Sequence, residues 1–158
     1  MMKWLSVSLL VLILDQASKL LVDAVLALHQ PVMLIPSLAI TKAYNTGAAF
    51  SFLGDASGWQ RWFFVGLALL VSVVLLVWLQ RLKASERRTA LALALILGGA
   101  VGNLVDRVIY GHVIDFIDVY YGSWHWPIFN VADSAITIGA GLLLLDALFG
   151  EHRDTEGK

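Results

Sequence analysis

Residues 129–149, FNVADSAITIGAGLLLLDALF, decide how the chain is read. Their length and apolarity fit a bilayer-spanning helix, which needs roughly 17–25 such residues. Asp133 is the exception. An ionised carboxylate within a bilayer costs about 2.5–3.5 kcal/mol on insertion scales. The neighbours of Asp133 are Asn130, Ser134 and Thr137, polar but uncharged, and no basic residue lies within a turn of it. Such a carboxylate needs partners from elsewhere in the chain, or a chemical task.

The rest of the chain is equally apolar. Of its 158 residues, 59% are hydrophobic and 15% charged, with a mean hydropathy of +0.77. Soluble domains carry about 25% charged residues. The composition predicts an all-α integral membrane protein, a single membrane-embedded unit over residues 1–158. Four apolar segments, residues 4–28, 59–79, 89–109 and 127–149, have the length of spans. The first resembles a signal peptide after Lys3, but it is broken by DQASK and lacks a small-residue cleavage site, so it reads as a retained helix. A net charge of -1 offers no basic field for nucleic acid. The absence of Cys removes disulfides, thiolate nucleophiles and cysteine-ligated metals.

Basic residues set the orientation. Lys3, the loop QRLKASERR at 80–88, and Arg153 and Lys158 hold seven of the eleven Lys and Arg, whereas segments 29–58 and 110–126 hold only Lys42. The positive-inside bias predicts cytoplasmic termini and an outer face carrying Trp59, Trp62, Trp124 and Trp126, with Trp78 at the inner interface. The outer segment IPSLAITKAYNTGAAFSF, residues 35–52, is rich in β-branched and aromatic residues, with Gly47 as a break, and predicts a short strand pair on the membrane surface, an irregular loop being the competing reading.

At 1.5 Å of rise per residue, Asp15 lies roughly 17 Å from the inner end of its span and Asn103, Asp106 and Arg107 roughly 18–26 Å from theirs. Asp133 lies roughly 24 Å from Phe149, so all of these residues fall in the outer half of the membrane core. Asp15 and Lys19 stand at i,i+4 in the favourable order for an ion pair. Asp106 and Arg107 are adjacent, so they point about 100° apart and serve different neighbours. Such pairs also hold a bundle together without any chemistry.

A second carboxylate would give Asp133 a task, and GHVIDFIDVYYG offers Asp115 and Asp118. Two carboxylates about 4 Å apart repel by roughly 4 kcal/mol at an effective dielectric near 20, which separates their titrations by about three units. One stays protonated as acid while the other is ionised as base, the arrangement by which aspartic proteases activate water. Spacing does not choose between Asp115 and Asp118. Ser18 and Lys19 are poorly placed as a nucleophile pair, because helical neighbours diverge. His29, His112, His125 and His152 lack the spacing of a metal site, and His112 and His125 read as solvated loop residues. The glycines of LGGAVGN and IGAGL suit close helix packing.

Five stretches together resemble the lipoprotein signal peptidase family, also called signal peptidase II: DQASK at 15–19, YNTGAAFSF at 44–52, GGAVGNLVDR at 98–107, GHVIDF at 111–116 and FNVADSAI at 129–136. They occur in the family's order over most of the chain. The resemblance implies four transmembrane helices with a small extracytoplasmic β-cradle, in the bacterial inner membrane with the active site near the periplasmic face. It implies an intramembrane aspartic endopeptidase that removes the signal peptide of prolipoproteins just before the diacylglyceryl-modified cysteine, with no cofactor and no metal. Its partners would be those prolipoproteins and membrane lipids. Asp115 and Asp133 would be catalytic; Asn45, Gly47, Asn103, Arg107 and Asn130 would bind substrate; and Asp15, Lys19 and Asp106 would be supporting polar residues. Asp118, outside the motif, reads as an interfacial or solvated acid. The competing readings are a small proton-coupled carrier and a structural membrane protein, because intramembrane Asp and Lys also mark ion paths and buried pairs.

Overall fold

The computed structural model describes residues 2–47 and 58–149. Four helices, α1 (Met2–Val25), α2 (Trp59–Arg81), α3 (Arg87–Ile109) and α4 (Val131–Phe149), are long and apolar enough to cross a membrane. Their outward faces carry exposed Leu9, Leu10, Ile13 and Leu14 on α1, and Leu69, Leu70, Val73 and Val74 on α2. Apolar faces of that extent suit lipid and not water.

Helix α3 is the hub, the most buried of the four, and it packs against each of the others. Without a hydrophobic drive between helices in lipid, close backbone approach through small residues does the work. A Cβ on Gly98 would meet Ser8 O of α1 at 2.7 Å, and one on Gly99 would collide with the Ala132 carbonyl of α4. On α4, a Cβ at Gly139 would meet Ala92 O at 2.7 Å, whereas Gly141 faces open space. Ser8 Oγ donates to Ala94 O across the α1–α3 contact at 2.8 Å. The α2–α3 seam is apolar, built on Leu75, Leu79, Ala90, Leu93 and Leu97. At the C-terminal end of α3 Arg61 donates from Nε to Arg107 O (2.8 Å) and from Nη2 to Val108 O (2.7 Å), a cation on the carbonyl end of that helix.

Among the described residues, four strands form one antiparallel sheet in the order β1 (Pro31–Ile35), β2 (Leu38–Asn45), β3 (Val113–Tyr121) and β4 (Trp124–His125). The expected strand pair is present but shifted: it turns at Pro36–Ser37, where Ser37 has φ 70°, and residues 48–52 of the expected stretch lie outside the described ones. The 110–126 segment supplies two further strands. The last span begins at Val131 and not at residue 127, because Phe129 pairs with Ile117 of β3. The first span ends at Val25, since Leu28 already bridges Lys42.

One irregularity shapes the site. Ile40 pairs with Ile117 and Ala43 with Asp115, so β2 carries an extra residue between them. This bulge buries both Thr41 and Lys42 and resets the alternation of β2. Thr41 and Asn45, four apart, therefore address opposite faces of the sheet, as Asp118 and Asp115 do on β3.

Candidate active site

The position of Asp133 follows from how α4 begins. Asn130 Oδ1 accepts from Asp133 N at 2.9 Å, and Asp133 Oδ2 accepts from Asn130 N at 3.3 Å. This reciprocal capping box makes Asn130 the cap and Asp133 the third helical residue. Asp133 thus sits in the first turn, where the positive end of the helix dipole favours a carboxylate. Its other oxygen, Oδ1, accepts from Asn103 Nδ2 at 2.7 Å.

Asp115 comes from β3. Its Oδ1 accepts from Asn130 Nδ2 at 2.7 Å and its Oδ2 from Asn45 Nδ2 at 3.1 Å. Asn130 Nδ2 also reaches Asn103 Oδ1 at 3.2 Å, so the amides that hold the two aspartates are joined to each other. Burial, followed by the nearby Asp133 charge, pushes the Asp115 carboxyl up to about 7, against the opposing hydrogen bonds of Asn45 and Asn130. Both aspartates line one cavity of about 440 Å³, with Asn45, Asn103 and Arg107 among polar walls and Val113, Pro127, Ile128, Phe129 and Ile136 among apolar ones.

Beneath the cavity lies a knot centred on Lys19, 1% exposed. Its Nζ contacts Asp15 Oδ2 (2.8 Å), Asp106 Oδ2 (2.9 Å) and Asn103 Oδ1 (2.9 Å). Asp15 Oδ1 also accepts from Ala132 N at 2.9 Å, and Asp106 Oδ2 from Ile114 N at 3.2 Å. Each supporting carboxylate therefore holds the backbone N–H of the residue just before one cavity aspartate. Gln16, which sequence reasoning quoted within DQASK but did not assign, closes the knot by donating to Asp15 Oδ2, Asp106 Oδ1 and Gly102 O. Its signal was a further polar side chain inside a span.

Arg107 bends the other way from Asp106, as adjacency predicts. Its Nη2 donates to Gly47 O at 2.9 Å, its Nη1 to Asn103 O at 3.4 Å, and its guanidinium lies 5.2 Å from the centre of the Phe64 ring. Arg107 Nε is buried without a partner among the described residues. Gly47 N in turn donates to Asn45 Oδ1 at 3.0 Å. All ten residues singled out from the sequence thus belong to one connected polar layer.

Asp118 departs from expectation. Rather than solvated it is 3% exposed, because Thr41 Oγ1 donates to its Oδ2 at 2.9 Å and His125 Nδ1 lies 2.8 Å from its Oδ1. It sits on the β3 face turned away from Asp115 and does not line the cavity. His112 is also not a solvated loop residue: it is half-buried against Tyr44, ring centres 4.1 Å apart, and burial pushes its imidazole below the usual range. Lys19 Nζ is committed to Asp15, Asp106 and Asn103, and Ser18 Oγ donates to Asp15 O at 2.8 Å, so they do not form a nucleophile pair. His152, Arg153 and Lys158 lie outside the described residues.

Comparisons with known proteins identify the family and the fold. The model of the family signal peptidase (SPase) II matches residues 7–149. The lipoprotein signal peptidase of Pseudomonas fluorescens is 58% identical over 147 residues, covering 92% of this chain and 86% of that protein. The one from Pseudoalteromonas translucida is 53% identical over 148 residues, covering 94% and 89%. A solved bacterial membrane enzyme, determined by the in meso method, superposes with a TM-score of 0.89 at 30% identity over 100% of this chain and 94% of that one. With a family match across nearly the whole chain and relatives above half identity, this chain belongs to the signal peptidase II family, whose members are aspartic peptidases.

Proposed function

We propose that the chain cleaves prolipoproteins just before the diacylglyceryl-modified cysteine, with Asp115 and Asp133 as a catalytic pair sharing one proton. As a signal peptidase II it is a multi-pass protein of the bacterial inner membrane. The observation that carries the mechanism is that two carboxylates from separate elements face one cavity while Asp115 is held near 7. At neutral pH Asp115 then supplies the proton and Asp133 the base.

In this reading a water between the carboxylates loses a proton to Asp133 as its oxygen attacks the scissile carbonyl, and Asp115 donates to the developing oxyanion. As the intermediate collapses, one of its hydroxyls returns a proton to Asp115, the C–N bond breaks, and the proton on Asp133 passes to the departing nitrogen, which leaves as the free amine of the lipidated cysteine. The signal peptide leaves with a carboxylate. No covalent enzyme intermediate is needed. Asn45, Gly47, Asn103, Arg107 and Asn130 bind and orient the substrate backbone, with Arg107 Nε a spare donor for a carbonyl. Asp15, Lys19 and Asp106 hold the two aspartates in place.

The orientation belongs to the same proposal: termini and the 82–86 loop inside, sheet and cavity outside. A substrate anchored by diacylglycerol presents its scissile bond near the membrane surface. The exposed apolar residues Val32, Met33, Leu34 and Ile35 of β1 suit the sheet to that interface.

The test is cleavage of a diacylglyceryl-modified prolipoprotein by the purified protein in detergent. The parent releases signal peptide and mature lipoprotein, and Asp133→Asn binds the substrate without cutting it. An intact substrate with the parent is the outcome for a carrier or a structural protein, and it would reject the proposal. Cleavage by Asp133→Asn at the parental rate would reject the pair.

A further inference from the structure

The proposed chemistry leaves one buried carboxylate of β3 unused. Asp118 is bracketed by Thr41 Oγ1 and by His125 Nδ1, at 2.9 and 2.8 Å. His125 is the last residue of β4, its side chain is 54% exposed, and its ring stacks on Tyr120 at 5.3 Å and 23°. The next four residues, Trp126 to Phe129, run beside β3 and line the cavity. That wall is pinned by Trp126 N donating to Val119 O at 2.8 Å and by Phe129 exchanging hydrogen bonds with Ile117. Pro127 has no N–H with which to pin the middle. Strand β4 is only two residues long, so its backbone pairing alone is marginal. The side-chain link to Asp118 is the additional anchor, and it is strong because one partner is a carboxylate desolvated beneath the hairpin.

We infer that His125, held by Asp118, is a positioning residue for the cleavage reaction: it fixes the Trp126–Phe129 wall against which the substrate lies, and so sets substrate affinity and not the chemical step. The inference rests on the proposed prolipoprotein cleavage. The wall's side chains Pro127, Ile128 and Phe129 are apolar, and they face the same cavity as Asp115 and Asp133 from the opposite side of the hairpin to Asp118. A wall that moves changes how well substrate and transition state are both held. That is the signature of altered KM at constant kcat.

The test compares steady-state kinetics of the parent with His125→Ala, His125→Asn and His125→Phe, on a diacylglyceryl-modified prolipoprotein peptide in detergent. Asn places its amide donor near the position of Nδ1, whereas Phe keeps the stacking on Tyr120 and loses the hydrogen bond. His125→Ala and His125→Phe are expected to raise KM about tenfold, the order expected for one charge-assisted hydrogen bond, with kcat within about twofold. His125→Asn is expected to restore KM. An unchanged KM in His125→Ala, a fall in kcat at constant KM, or rescue by Phe in place of Asn would each overturn the inference. Because the Asn and Phe variants differ in one hydrogen bond, their comparison decides the matter even if the Ala variant folds poorly. A parent that leaves the peptide intact rejects the proposed cleavage itself, an outcome distinct from any of these.

Discussion

Replacing Asp115 by Asn should abolish cleavage and, at alkaline pH, stabilise the protein. The carboxyl is held at about 7 against an ordinary 3.8 because burial and Asp133 both oppose its charge. Three units correspond to about 4 kcal/mol against the ionised form. The native value is the raised one, so the associated stability is fully present below the unfolded value and is lost as pH rises through about 7. Asn has the same shape and never ionises. It forfeits about one hydrogen bond, roughly 1 kcal/mol, because its own amide must face a donor from Asn45 or Asn130. The net gain at pH 8 is therefore about 3 kcal/mol, and it exceeds the gain at pH 5 by about 2 to 3 kcal/mol.

The assay is thermal unfolding of parent and variant in one detergent at both pH values, beside prolipoprotein cleavage. Asp118→Asn is the control: it keeps an acceptor for Thr41, lies outside the cavity, and should retain most of kcat. A variant at 115 that gains nothing on going from pH 5 to pH 8 would refute the electrostatic reasoning. A dead Asp118→Asn beside an active Asp115→Asn would overturn the choice of catalytic pair.

For the parent, kcat/KM should fall as pH rises through about 7, when the proton of Asp115 leaves, and fall again in acid when the pair takes its second proton; a flat profile from pH 5 to 10 under chemistry-limited conditions would refute the shared proton. Lys19→Ala leaves Asp15 and Asp106 facing each other without their cation and should destabilise by about 3–5 kcal/mol, read as lost yield and a lower unfolding temperature; normal stability would show that the knot is not ionic. The chain lacks Cys, so Ser85→Cys and Ser123→Cys can each be probed in cells with an impermeant maleimide. Ser123→Cys should label from the periplasm and Ser85→Cys only after the inner membrane is opened, and the reverse would defeat the proposed orientation.

The spans were legible because apolar length is a blunt signal, and the polar layer was legible because charges inside spans are few and each needs a reason. The start of α4 was misplaced by four residues because Pro127 to Phe129 are as apolar as a helix, although they pair with β3. The signal that would have corrected it is local: Asn130 and Asp133 at capping-box spacing. The burial of Asp118 was not legible. It depends on the β2 bulge, which sets Thr41 against Asp118 while Asn45 reaches Asp115 on the other face, and one extra residue in a strand leaves no periodicity to read.

The Lys19 knot also explains how two carboxylates that repel each other can be kept on one cavity. If only their own contacts held them, mutual repulsion would drive them apart whenever both ionised. Instead Asp15 grips the backbone just before Asp133 and Asp106 grips the backbone just before Asp115, and one lysine joins the two grips. The glycines of α3 make that possible, since a Cβ on Gly102 would meet the Asp15 carboxylate at 2.6 Å. Helix packing in lipid thus fixes the backbone on which each aspartate stands. The geometry is prepared before substrate arrives, and burial, together with the repulsion that remains, is expressed as a raised proton affinity of Asp115 in place of a displaced side chain.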